Sequence, residues 1–277
     1  MPEATGTTPP EEESSKCSII SAVSDEEVLN SCLLSSPDVR RAADVILQTG
    51  YPSAALAYNA ALEKAKTNIV MFVHQDVYLP EGWLRTAQNA VGILSKIDPD
   101  WGVLGCWGVR PSGERAGFVY DGGWRRILGG PFEGGQEVES LDEVVLILRK
   151  SSGLRFDQQL RGFHMYGTDI CLEARRRGMK CYAISAFCVH NTNGYNLLPY
   201  QFWRNCWWIR NKWKAKLPVP TPCIDITYFG WPMIKWNVIR SLNILLKRHK
   251  PARRAADPRA LYEDMVRGGI VERATST

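Results

Sequence analysis

The feature that most constrains this 277-residue chain is Asn68 to Trp83, N-I-V-M-F-V-H-Q-D-V-Y-L-P-E-G-W. Its opening run, Ile69 to Val73, is apolar without interruption, and Val70, Phe72 and Val73 favour extended backbone. A strand with no polar alternation has no face for solvent, so it suits a parallel sheet covered on both sides. The run stops at His74-Gln75-Asp76. In open α/β sheets, ligands bind just past the carboxyl ends of the strands. Two residues apart on a strand, His74 and Asp76 would share one face. An imidazole and a carboxylate there can hold a divalent cation. On these residues alone the other reading is a solvated loop, or caps for a helix that Pro80 and Gly82 announce.

The neighbouring segments give that strand a sheet to sit in. Ser18 to Val23 and Ala43 to Gln48 read as strands. Ser24 with Glu27 makes a capping box for a helix to about Leu34, and Ser53 caps a second helix through about Lys66. Glu81 to Lys96 reads as a third helix and Trp101 to Trp107 as a strand. This alternation implies an α/β fold with a mostly parallel sheet. Gly108 to Gln136 is glycine-rich and irregular, read either as a lid or binding loop or as a surface excursion carrying a hairpin. Val144 to Leu148 is a strand, Thr168 to Arg177 a helix closed by Gly178, and Cys181 to Val189 a strand ending at His190.

The ends of the chain are different. Residues 1–16, rich in Pro, Thr, Ser and Glu, are expected to be disordered. Residues 17–198 read as the main domain and 199–277 as a helical, Trp-rich extension. Its helices are expected over Gln201 to Lys216, Tyr228 to Lys250 and from Asp257-Pro258 to Gly268. Its tryptophans are expected to pack on the main domain, with a membrane-surface or oligomer face as the alternative.

Composition narrows the setting. Net charge is +5, a modest excess that gives no argument for nucleic acid. Eight cysteines without a C-x-x-C pair, most of them in apolar patterns, read as reduced core residues. No signal peptide and no stretch near ~20 apolar residues is visible, so the expectation is a cytoplasmic protein, at most peripheral at a membrane.

The second informative segment is Phe156 to Gly178, F-D-Q-Q-L-R-G-F-H-M-Y-G-T-D-I-C-L-E-A-R-R-R-G. Together with A-L-A-Y-N-A-A-L, F-V-H-Q-D-V and His190-Asn191, it resembles the GT-A fold glycosyltransferases, nearest to the bacterial family-2-like group with an H-Q-D motif. The resemblance spans about Cys17 to Asn196 and implies a nucleotide-diphosphate sugar donor, an Mn²⁺ or Mg²⁺ cofactor and an acceptor of unstated class. His74-Gln75-Asp76 falls where the family has its metal-binding D-x-D, so Asp76 and His74 are implied ligands, with His190 as a downstream one. Ala22, Val23, Ser24, Asp25 and Asn59 lie where such enzymes hold the nucleotide, Gln75 sits in the donor motif, and Asp142 matches an acid near the sugar or acceptor. Asp169 matches the second acid of a Y-D-x-D pattern and is implied as general base in an inverting reaction. Two positions depart from the pattern: His74 replaces the first acid of D-x-D, and Gly167 the first acid of Y-D-x-D.

The chemistry explains why such groups are needed. Departure of a nucleoside diphosphate builds negative charge that a cation or preorganised donors must meet. The acceptor hydroxyl needs a base, worth ~10²–10⁴ in rate. Two other readings use the same residues: a metal hydrolase built from His74, Asp76 and His190, and a non-catalytic sugar- or nucleotide-binding module. Against the hydrolase, no H-E-x-x-H motif is present.

Overall fold

The computed structural model describes residues 17–194, 197–246, 248 and 252–273. The tail expected to be disordered lies outside the described residues. The main sheet is built from β1 (Cys17–Val23), β2 (Asp44–Thr49), β3 (Ile69–Val73), β5 (Val103–Gly105), β9 (Gly135–Val138), β11 (Val145–Arg149) and β12 (Cys181–Ile184), in the order β2-β1-β3-β11-β5-β12-β9. Five of these seven strands point the same way; β11 and β9 run against them. A second sheet joins β4 (Val77–Tyr78), β6 (Trp107–Val109), β7 (Arg115–Asp121), β8 (Arg126–Gly129), β10 (Ser140–Leu141) and β13 (Cys188–His190).

The central run is buried on both faces, as its composition demands. In β3, Met71 and Val73 enter one core while Val70 and Phe72 enter the other. Beside it in β11, Val145 and Ile147 join the first, Leu146 and Leu148 the second. The first core is closed by α3 (Trp83–Ile97), whose Trp83, Leu84, Ala87, Val91 and Leu94 recur at helical spacing. The second is closed by α2 (Ala54–Lys64), capped by Ser53 as its sequence implies, and by α4 (Tyr166–Arg176).

Several boundaries differ from the expectation, each for a local reason. The short helix α1 (Glu26–Ser31) is capped by Asp25, which accepts from the Val28 N–H at 3.1 Å. Ser24 is unavailable because its N–H and hydroxyl are both bonded to Gln75. Trp101 to Trp107 and Cys181 to Val189 each divide into two strands in different sheets. The first break falls at Cys106 inside an apolar run that carries no sign of the change of sheet; the second falls at Ser185-Ala186-Phe187, where one serine is the sole polar interruption. The glycine-rich region is a hairpin, β7 against β8, followed by β9.

The last part of the chain carries α5 (Tyr200–Lys212), α6 (Trp231–Leu245) and α7 (Pro258–Arg267). Helix α5 packs through Phe202, Cys206 and Ile209 into a third core shared with Met165 and Leu172 of the α4 region. Trp213 is buried there, whereas Trp207 and Trp231 are exposed, so the expected packing holds for part of the tryptophan set only. Seven cysteines are buried and Cys223 is exposed. No helix among the described residues is long and apolar enough to cross a membrane.

Gly117 lets the two sheets meet. It has φ +132°, and a Cβ there would lie 2.1 Å from the Cys106 carbonyl oxygen. Gly117→Ala is therefore expected to cost at least ~2 kcal/mol from backbone strain and clash, read as a lower urea midpoint.

Candidate active site

The central strand ends at Val73, and a turn follows in which the Val77 N–H donates to the His74 carbonyl at 3.2 Å. His74 and Asp76 thus sit in a turn rather than on the strand the spacing suggested. Strand β4 then pairs with β13, Val77 opposite His190. This pairing brings His190 to the turn, and the Asn191 N–H donates to the Asp76 carbonyl at 2.8 Å.

The three side chains converge on one oxygen. Asp76 Oδ1 lies 3.9 Å from His74 Nδ1 and 3.6 Å from His190 Nε2. One ligand atom from each residue fits within 4.8 Å of the others. These spacings are near the roughly 3.0–3.5 Å between adjacent ligands of an ion held at about 2.1 Å. The outer nitrogens are both engaged: His74 Nε2 is 2.7 Å from the Tyr166 hydroxyl and His190 Nδ1 3.3 Å from Asp121 Oδ2. If those nitrogens carry the protons, the inner ones keep their lone pairs for a cation, as outer hydrogen bonds fix in metal-binding histidines. The donor set of two imidazoles and one carboxylate fits a divalent transition metal better than Mg²⁺.

Burial lowers His74 to about 4, against the opposing pull of Asp76, so the ring is neutral at pH 7. Burial would also lower His190, but Asp76 and Asp121 outweigh it and raise the ring well above its ordinary value. For Asp76 burial acts upward and is overcome by His190, His74 and Arg254, which hold the carboxyl well below the usual range. Its second oxygen, Oδ2, accepts from Arg254 at 3.4 Å. Arg254 is anchored by donating from Nε to the Asn191 carbonyl at 2.7 Å.

Asp169 is elsewhere engaged. Its two oxygens receive Lys212 Nζ at 2.8 and 2.9 Å, and Oδ1 also receives the Trp213 indole N–H at 2.7 Å. Burial raises its carboxyl despite the Lys212 ammonium. These contacts tie α4 to α5 and to Trp213 just beyond it; the sequence-derived role of Asp169 as general base stands as an expectation beside them. The acid that stands near the missing side chain of Gly167 is Glu143. Glu143 Oε1 accepts from the Gly167 N–H at 3.2 Å, and a Cβ on Gly167 would lie 3.2 Å from Glu143 Cγ. Burial, then the charge of Asp142, push Glu143 up to about 8. Asp142 is raised as well, chiefly by burial and in opposition to His190.

A family model described as "Glycosyltransferase like family" matches residues 18–207. This chain belongs to that glycosyltransferase-like family. Its mixed sheet flanked by helices is the GT-A fold. Among curated proteins, "ATP synthase subunits region ORF 6" of Fuscovulum blasticum is 34% identical over 138 residues, covering 47% of this chain and 53% of that protein. The chain thus spans about half the length of the curated relative it matches. Among solved structures, S. aureus TarS 1-349 is similar with a TM-score of 0.45 and 13% identity over 71% of this chain and 65% of that one. GalNAc-T7 with UDP, GalNAc and Mn²⁺ is similar with a TM-score of 0.44 and 12% identity over 66% of this chain and 38% of that one.

In this glycosyltransferase-like chain the remaining sequence-derived donor residues fall into two groups. Gln75 ties the H-Q-D turn to the end of β1: its Oε1 accepts from the Ser24 and Asp25 N–H groups at 2.9 and 3.1 Å, and its Nε2 donates to Ser24 Oγ. Ala22, Val23, Ser24 and Asp25 therefore lie beside the turn, and the Ala22 N–H donates to the Tyr58 hydroxyl oxygen. Asn59 fastens a loop: its amide donates to the Phe156 carbonyl at 2.8 Å and accepts from the Phe156 N–H at 3.0 Å.

Four residues escaped the sequence reading: Asp121, Glu143, Tyr166 and Arg254. Asp121 ends the F-V-Y-D strand before a D-G-G-W turn, a strand-end acid with a legible signal. Tyr166 stood inside the quoted motif without a role. Arg254 carries no local signal, because its approach depends on Asn191 and Asn193 holding the 252–255 segment.

Asp169→Ala is expected to destabilise the fold by about 1–3 kcal/mol, since it leaves the buried Trp213 indole N–H unpaired and leaves Lys212 with Asp157, 2.8 Å away. Lys212→Met in the same chain should recover part of that loss; equilibrium denaturation of the single and double variants measures both.

Proposed function

We propose that this chain transfers a sugar from a nucleotide-diphosphate donor, with His74, Asp76 and His190 as the cation site and Glu143 as the base. The observation that carries the reading is the convergence of two imidazoles on Asp76 Oδ1 at the end of the central strand, their outer nitrogens held by Tyr166 and Asp121. A divalent cation bound there supplies Lewis-acid neutralisation of the departing diphosphate. The imidazoles favour Mn²⁺ over Mg²⁺ as that ion. Arg254, on the far oxygen of Asp76, adds a fixed positive charge beside the same group.

Glu143 supports the second half of the reaction. An acceptor hydroxyl must lose its proton as it attacks the anomeric carbon, and a carboxylate in the same cleft can take it. One base with in-line attack inverts the anomeric centre. Asp142, one residue away and accepting from the Val144 N–H at 3.1 Å, would bind sugar or acceptor in this reading. In this reading residues 17–198 hold the donor machinery and the 199–277 extension buttresses it through Lys212, Trp213 and Arg254.

Thermal shift with UDP- and GDP-sugars, with and without Mn²⁺, tests the donor half, because a ligand of the folded state raises its melting point. The expected result is stabilisation that requires both nucleotide and Mn²⁺, lost in Asp76→Asn. Stabilisation by Zn²⁺ alone would point instead to a hydrolase, and binding indifferent to metal to a non-catalytic module.

Glu143→Gln should keep donor binding and lower kcat by ~10²–10⁴. Turnover of the unchanged chain should rise with pH through the region of about 8, because the carboxyl must be ionised to accept a proton. The sign for stability is opposite. A carboxyl raised on folding stabilises below its unfolded value near ~4.3 and loses that contribution as pH rises through the folded value. Glu143→Gln should therefore gain melting temperature relative to the parent at pH 9 and not at pH 4.

A further inference from the structure

Helix α6 is amphipathic the wrong way round for a helix of a protein interior. Trp231, Ile234, Val238, Leu242 and Leu245 recur at helical spacing and are all exposed, Trp231 by 68% and Leu245 by 76%. The side turned to the protein carries Met233, which is buried, with Trp236 packed on Trp203. Asn237, which donates to the Met233 carbonyl, is only partly exposed. Phe229, 86% exposed, stands just before the helix. A contiguous apolar stripe of this size on a surface marks a face that something covers.

The charge around the stripe says what covers it. Between Asp225 and Asp257 the sequence has no Asp or Glu, and it has seven Lys and Arg. Lys235 lies exposed on the helix, and Arg248 and Arg253 lie exposed beyond it. Large aliphatic side chains flanked by aromatics and by cations alone match a lipid bilayer with anionic headgroups, where the chain ends of Leu, Ile and Trp enter the acyl boundary and Lys and Arg meet phosphate. A second protein with an acidic rim would satisfy the cations, and a second copy of this chain would not, because it would bring the like charges of Lys235, Arg248 and Arg253 to the contact.

We propose that α6 seats the protein on an anionic membrane surface, lying in the plane of the interface. At 15 residues the helix is too short to span a bilayer but suited to lying in one face. The segment that follows is fastened to the cleft: the Gly194 N–H donates to the Ala252 carbonyl, the Arg254 N–H to Asn193 Oδ1 and the Ala255 N–H to Asn191 Oδ1.

The test is sedimentation of the full chain with vesicles of phosphatidylcholine alone or mixed with phosphatidylglycerol. The expected result is binding to the mixed vesicles that weakens as salt rises. Ile234→Asp with Leu242→Asp should lower the partition coefficient about tenfold or more while leaving the melting temperature and nucleotide-sugar binding unchanged. Because a helix change can disturb folding, Lys235→Glu with Arg248→Glu serves as an independent variant, expected to weaken binding to mixed vesicles only. No sedimentation with anionic vesicles, or equal binding by both paired variants, would overturn the proposal. So would a solution dimer that the aspartate pair dissolves in a chain that ignores vesicles.

Discussion

Asp76 is a buried charge, and a buried charge has to be met. Three groups from three distant parts of the chain meet it: His74 beside it in the turn, His190 at the end of β13 and Arg254 from beyond α6. A lone carboxylate in so dry a place would be costly to ionise. The surrounding cations reverse that cost and hold it ionised, while burial keeps His74 neutral. Sheet pairing, turn and C-terminal return path all serve this one requirement. The Tyr58, Phe72, Phe156 and Tyr166 rings, 4.9 to 5.8 Å apart, form the rigid floor from which the Tyr166 hydroxyl orients His74.

Two acids of this region differ in what they touch. Asp169 ties α4 to Lys212 of α5 and to Trp213. Glu143 sits against the backbone of Gly167, which has no side chain to hold it away. The raised carboxyls of Asp142 and Glu143 show that two acids side by side in a dry cleft do not both ionise easily.

The part of the chain after α5 connects chemistry to surroundings. Its helix α6 leaves an apolar face outward, and a few residues later the chain returns to donate Arg254 to the cleft. The segment that carries Arg254 is held by the Asn191 and Asn193 side chains.

Much of the fold was legible because local patterns were decisive. Ile69–Val73 had to be a doubly covered strand, Ser53 had to cap α2, and the strand–helix alternation had to make a mostly parallel sheet. His74, Asp76 and His190 were legible as a set because each stands at a strand end in an ordered series of motifs. Asp25 instead of Ser24 as a cap and the two divided strands were not, since each depends on a partner remote in sequence. By itself the sequence determined which segments bury both faces and which residues could bind a cation. Only the tertiary structure decided that Asp169 meets Lys212 and Trp213, that Asn59 is bonded to Phe156, and that Glu143 sits against Gly167. The physical reason is that a polar side chain's role is set by which partners claim its lone pairs, and those partners lie tens of residues away along the chain.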